Sequence, residues 1–230
     1  MKFKLWHNLF ELVFIWMIAV LIAVLIHAFS AIAILQPMPL AFLTGFLAYL
    51  IIHLIFFRPI LSHVMAHEMT HALAAFLLGG KVTAIHATAS GGSTIVNKSN
   101  WLISLAPYVF PLYSAAALGL YWIAASRFKI YLTGLIGFTY AFHLTLTIYS
   151  LLHDQPDLKE AGWFFSCIFI LAGNLIVLTF WVAFLWPQVL TFKNCIHEMF
   201  MYSEQGIQWI NHQIHPSARS QAVLSKGKQS

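Results

Sequence analysis

The pentapeptide His67-Glu68-Met69-Thr70-His71 contains two histidines four residues apart, with a glutamate between them. On a helix, side chains at i and i+4 lie on one face about one turn apart, so both imidazoles can bind one metal ion. Glu68 then lies beside the metal instead of binding it. Zinc-dependent hydrolysis needs two such imidazoles, a third protein ligand, an open position for water and a carboxylate that accepts the water proton.

The motif is uncommon by chance, and it stands in an apolar part of the chain. With 12 histidines in 230 residues, a shuffled chain of this composition contains H-E-x-x-H about one time in seventy. An ionisable residue at membrane depth costs about 2.5–3.5 kcal/mol on the translocon scale. Three such residues within five positions therefore need a partner, and a metal ion is a suitable one.

The composition indicates an integral membrane protein. Hydrophobic residues make up 60% of the chain and charged residues 8%, and the mean hydropathy is +0.81. We expect a multi-pass protein of the cell membrane or another inner membrane, with the lipid bilayer as its surroundings. The net charge of +5 does not indicate a nucleic-acid partner, because the basic residues stand singly beside apolar segments and in the tail. Two cysteines, Cys167 and Cys195, form no disulfide framework.

Apolar segments of about 20 residues predict an all-α polytopic fold with six transmembrane helices. The predicted spans are 8–35, 40–57, 60–78, 100–124, 129–152 and 161–186. The first resembles a signal peptide, but its apolar run is too long for one, so we interpret it as a span. The predicted regions are an N-terminal transmembrane hairpin (1–57), a core (58–160), the sixth transmembrane helix (161–190), and an amphipathic and then disordered tail (191–230).

Residues 81–97 differ from the rest, because two runs rich in β-branched residues flank Gly91-Gly92. This pattern is typical of a β-hairpin, and an ordinary interhelical loop is the alternative. An open sheet edge is not tolerated in hydrocarbon, so the hairpin must be covered by protein or lie at a wet cavity. Its free edge could then pair with an extended peptide.

A third metal ligand must come from elsewhere, and the sequence offers few carboxylates. Its two aspartates, Asp154 and Asp157, both follow the fifth predicted span. The metal-binding helix ends near Gly79, and two further crossings return the chain to the same membrane side near residue 153. Either aspartate can meet the histidines if this segment folds inward.

Residues 58–176 resemble the intramembrane zinc metalloproteases of the site-2 protease type. In that family a membrane helix with H-E-x-x-H precedes a hairpin, a helix and an Asn-Pro-Asp motif, to which Gln155-Pro156-Asp157 is similar. The resemblance implies that His67, His71 and Asp157 bind Zn²⁺, with Asp154 as the fallback ligand. It also implies that Glu68 is the general base in cleavage of membrane-embedded or membrane-anchored proteins.

Two features depart from the family pattern. The family often has an asparagine shortly after a Gly-Pro pair, whereas Ala106-Pro107-Tyr108-Val109-Phe110-Pro111 contains no amide side chain. Leu158 replaces a common glycine. The alternative function is therefore a catalytically inactive relative that binds transmembrane segments. A haem protein is disfavoured, because ligands four residues apart cannot occupy opposite haem faces.

Three further predictions concern the surroundings of the motif. His63, one turn before His67, is a supporting hydrogen-bond donor, an alternative ligand or part of a water path, and Pro107 and Pro111 are candidates for holding an extended substrate. Residues 192–214 have the periodicity of an amphipathic helix lying on the membrane. The positive-inside rule puts both termini in the cytoplasm, whereas the family resemblance puts the metal and hairpin toward it, so the orientation stays open.

Overall fold

The computed structural model describes residues 2–30, 36–56, 58–153 and 155–214, and for residues 2–8 the backbone alone. The fallback ligand Asp154 and the predicted disordered tail beyond residue 214 lie outside the described residues. Within these ranges the chain is mostly helical, with one two-stranded antiparallel sheet. The elements are α1 (Lys2–Ser30), α2 (Pro37–Ile55), α3 (Ile60–Leu77), β1 (Val82–Thr88), β2 (Gly91–Val96), α4 (Trp101–Leu105), α5 (Leu112–Ile123), α6 (Lys129–Leu151), α7 (Pro156–Ala161), α8 (Trp163–Leu185) and α9 (Phe192–Ile214).

Four helical segments are long and apolar enough to cross a membrane. They are Leu9–Ser30, Pro37–Ile55, Ser126–Leu151 and Trp163–Leu185. The fourth predicted span is broken, because Trp101–Tyr108 and Leu112–Ile123 meet at an angle of 70°. The third is the helix α3, whose three histidines and one glutamate lower its mean hydropathy, and it is not among the four. The predicted count of six is therefore not confirmed.

Contact clustering divides the chain into two units, and the first contains residues 1–15 and 33–178. In this unit α2 and α6 pack closely at positions without a Cβ. Gly45 faces the carbonyl oxygen of Gly134, and Gly137 faces that of Phe42. Such contacts let two apolar helices bring their backbones together, which gives dispersion contacts where lipid provides no hydrophobic driving force.

The predicted hairpin is confirmed, because β1 and β2 pair antiparallel with Thr88 opposite Gly91. The hydroxyl of Thr88 donates to the carbonyl oxygen of Gly91 at 2.7 Å and closes the turn. The preceding helix α3 ends at a glycine pair, where Gly79 has φ of +74°, a conformation that favours glycine. The hairpin therefore begins directly after α3 and can lie back along it.

The short helix α7 separates α6 from α8. It begins at Pro156, whose fixed φ suits the first turn of a helix, and it is followed by Gly162 with φ of +93°. Leu158 is 2% exposed and belongs to a buried cluster with Leu105, Tyr108, Ala161, Phe165 and Ile170. The leucine that departs from the family pattern thus anchors α7 to the hydrophobic core.

The second unit contains residues 16–32 and 179–230 and includes the helix α9. Within it, Nδ1 of His27 lies 3.2 Å from Oε2 of Glu198, and Gly206 faces the ring of Trp16. Several apolar residues of α9 are exposed, namely Ile196, Phe200, Ile207, Ile210 and Ile214. The amphipathic helix predicted over 192–214 is thus present as a helix, and its position on a membrane surface stays a prediction.

Candidate metal centre

The helix α3 places His67 and His71 on one face, with their Nε2 atoms 3.1 Å apart. The Nδ1–H of His71 donates to the carbonyl oxygen of Ile103 at 2.9 Å. This hydrogen bond fixes the ring and leaves the Nε2 lone pair available, which is the usual arrangement of a metal-binding histidine. The side chains of His67 and His71 are 13% and 12% exposed, so little water competes for these nitrogens.

The helix α7 brings Asp157 to the two histidines, although it lies 90 residues after His67. Its Oδ2 atom is 3.2 Å from Nε2 of His67 and 3.4 Å from Nε2 of His71. The structure therefore brings together the three residues that the family resemblance implies as ligands. It brings them together through the packing of α7 on α4, since Leu158 and Ala161 share a buried cluster with Leu105.

The three donor atoms fit a tetrahedral metal ion. A regular tetrahedron with zinc–ligand bonds of about 2.1 Å has edges of about 3.4 Å. The separations between Nε2 of His67, Nε2 of His71 and Oδ2 of Asp157 are 3.1, 3.2 and 3.4 Å. These residues form a group that could hold a metal ion, with three of the four tetrahedral positions supplied by protein.

The carboxyl group of Asp157 has the charge that a metal ligand needs. Burial by itself raises its pKa, but hydrogen bonds from His67 and His71 and the charges of both rings outweigh burial and hold the pKa well below its usual value. The group is therefore a carboxylate at neutral pH, and both of its oxygens are hydrogen-bond acceptors.

Glu68 is 6% exposed and turns toward the hairpin instead of the donor atoms. The hydroxyl of Thr94 lies 2.7 Å from Oε2 of Glu68 and 2.9 Å from its carbonyl oxygen, and donates to one of them at a time. Gly92 provides room for this carboxylate, because a Cβ at that position would lie 2.8 Å from Oε1 of Glu68. The hairpin thus fixes the position of the predicted general base.

A cavity of about 550 Å³ joins the ligand group to Glu68. All three candidate ligands line it, as do Glu68 and residues 89–94 of the hairpin. Gln155 also lines the cavity, two residues before Asp157. Sequence reasoning missed this amide because it searched for one in 106–111. Pro107 and Pro111, predicted to hold substrate, are not among the lining residues.

Tyr108 is the second residue that sequence reasoning missed. Its hydroxyl donates to Oδ2 of Asp157 at 3.0 Å, and its ring meets that of His67 at 84° with centroids 5.1 Å apart. The side-chain amide of Asn174 in α8 donates to the carbonyl oxygen of Tyr108 at 2.9 Å. The only signal in the sequence was a tyrosine next to Pro107, and local spacing does not predict a contact 49 residues away.

The remaining histidines have other partners. Nε2 of His63 lies 3.2 Å from the hydroxyl oxygen of Ser150, and His63 lines the cavity without belonging to the ligand group. Nδ1 of His53 lies 3.2 Å from the hydroxyl of Tyr49. Of the three roles predicted for His63, the structure gives it the lining of the cavity.

Comparison of the chain with protein-family models, with curated proteins and with solved structures gave no match. The argument for function therefore rests on the residues and their geometry.

Proposed function

We propose that this protein is an integral membrane zinc metalloprotease that cleaves membrane-embedded or membrane-anchored proteins. One observation carries the proposal. Two imidazoles of α3 and a carboxylate of α7 converge within 3.4 Å, and a buried glutamate lines the same cavity. Four candidate membrane-spanning helices support a location in the bilayer.

The donor set favours zinc. Two imidazole nitrogens and one carboxylate oxygen are the ligands of many catalytic zinc sites, whereas structural zinc sites have four protein ligands. Only His67, His71 and Asp157 form such a group among the described residues, and they line an open cavity, so a water molecule has room beside them. Bound zinc supplies a water with pKa near 7 and polarises a carbonyl group.

Glu68 is the proton carrier of the proposed reaction. Its carboxylate accepts the proton of the attacking water and delivers it to the amine that leaves when the peptide bond breaks. Thr94 holds Oε2 of Glu68 by a hydrogen bond of 2.7 Å, which limits its rotation. The group therefore starts from one defined orientation, and a defined orientation is worth several kcal/mol in proton transfer.

The cavity suits an extended peptide. A helical substrate keeps its carbonyl groups in its own hydrogen bonds, so the scissile segment must unwind before attack. The strand β2 pairs with β1 along one edge only within the described part of the chain, and its residues 91–94 line the cavity. Pairing of an unwound segment with that edge would present its carbonyl groups to the site.

The test compares the full-length wild type with Glu68→Gln in lipid nanodiscs, using a panel of single-span membrane proteins as substrates. We expect about one zinc per chain in both proteins and cleavage by the wild type alone. Cleavage by Glu68→Gln at the wild-type rate would remove Glu68 from the mechanism. Zinc binding and substrate binding without cleavage by either protein would instead identify the inactive, segment-binding alternative.

A further inference from the structure

We infer that Tyr108 is a positioning residue of this metal centre: its hydroxyl holds the ligating oxygen of Asp157, and its ring confines that of His67. The inference rests on the proposed zinc site and deepens it, because it names a residue outside the motif that sets metal affinity.

The contacts of one oxygen atom carry the inference. Oδ2 of Asp157 lies 3.0 Å from the hydroxyl of Tyr108, 3.2 Å from Nε2 of His67 and 3.4 Å from Nε2 of His71. A carboxylate oxygen has two lone-pair sites. One can accept the hydroxyl proton of Tyr108 while the other faces the imidazoles. The hydrogen bond of Tyr108 is therefore compatible with metal binding and selects the oxygen that binds.

The carrier of Asp157 needs such a support. The helix α7 has six residues, which is far below the length at which an isolated helix is stable. Leu158 fixes one side of α7 in the core, but a packed leucine does not determine how the neighbouring carboxylate rotates about its own bonds. A hydrogen bond to Oδ2 from a fixed donor determines that rotation.

Tyr108 is a fixed donor. It is 1% exposed, and its carbonyl oxygen accepts a hydrogen bond of 2.9 Å from the amide of Asn174. Its ring packs edge to face on His67, with centroids 5.1 Å apart, which restricts rotation of that imidazole. One side chain thus orients two of the three candidate ligands.

Hydrogen-bond partners of metal ligands commonly contribute about 10–100-fold in metal affinity. The experiment measures the zinc dissociation constant of the full chain in nanodiscs by competition with a chromogenic chelator. Tyr108→Phe removes the hydroxyl and keeps the ring. Tyr113→Phe is the matched control, because its hydroxyl donates at 2.9 Å to the backbone of Ser62 in the same helix, away from the ligand atoms. The melting temperature of each metal-free protein is measured in parallel.

We expect zinc affinity to fall about 10–100-fold in Tyr108→Phe and to stay at the wild-type value in Tyr113→Phe. Asn174→Ala, which loosens the backbone of Tyr108 and keeps its hydroxyl, should give an intermediate affinity. This variant also provides a second measurement if Tyr108→Phe does not fold.

Wild-type affinity in Tyr108→Phe and Asn174→Ala would overturn the inference while leaving the proposed function in place. The same loss of affinity in Tyr113→Phe, with a matching drop in melting temperature, would also overturn it, since the effect would then be structural. A wild type that binds no zinc would overturn the proposed function, and this inference with it.

Discussion

Replacing Gly92 by alanine tests whether the hairpin positions the general base. The added Cβ would lie 2.7 Å from Cγ of Glu68, 2.8 Å from its Oε1 and 2.6 Å from Cγ1 of Val64. Side-chain atoms in contact normally lie about 3.5–4.0 Å apart. The methyl group therefore has to displace Glu68 or the hairpin by about 1 Å.

A displacement of about 1 Å in a catalytic group lowers the rate about 100-fold. This corresponds to about 2.7 kcal/mol of transition-state stabilisation. Zinc affinity should not change, because the donor atoms of His67, His71 and Asp157 are not among the three nearest atoms to the new methyl group. Overpacking of this kind also destabilises a fold by about 1–3 kcal/mol, so the melting temperature should fall moderately.

The assay measures kcat for a single-span substrate in nanodiscs, with zinc content and melting temperature determined on the same samples. Gly119→Ala in α5 is the control, since a Cβ there meets nothing within 4 Å and should leave kcat unchanged. A Gly92→Ala protein that binds zinc and cleaves at the wild-type rate would refute the argument that this glycine makes room for Glu68.

Two further predictions follow from the contacts of the site. Asp157→Ala should abolish stoichiometric zinc binding, measured by metal analysis of the purified protein, whereas Asp154→Ala should retain it; the reverse result would make Asp154 the ligand. Thr94→Val should lower kcat about 10-fold or more with zinc content unchanged, because a hydrogen bond to a charged group contributes about 1.5–3 kcal/mol; an unchanged kcat would show that Glu68 keeps its orientation without Thr94.

The span count shows where sequence patterns are insufficient. Apolar length predicted six crossings, but a span also has to be straight and apolar throughout. The segment around Pro107 and Pro111 bends by 70°, and α3 carries ionisable residues that lower its hydropathy. Whether such segments cross a membrane depends on what covers their polar groups, and here the hairpin and α7 contact the residues of α3.

The sequence by itself determined the features that depend on neighbouring residues. The spacing of His67 and His71 fixes two rings on one helical face, and the glycine pair between β-branched runs fixes the hairpin. Both follow from local backbone geometry, which reads the same in any tertiary context.

Only the tertiary structure decided which side chains meet those rings. Asp157 reaches His67 across 90 residues, and Tyr108 reaches Asp157 across 49. These contacts exist because Leu158 buries α7 against the core and Asn174 holds the turn that carries Tyr108. Packing between distant segments depends on shape and volume in three dimensions, and neither has a fixed spacing along the chain.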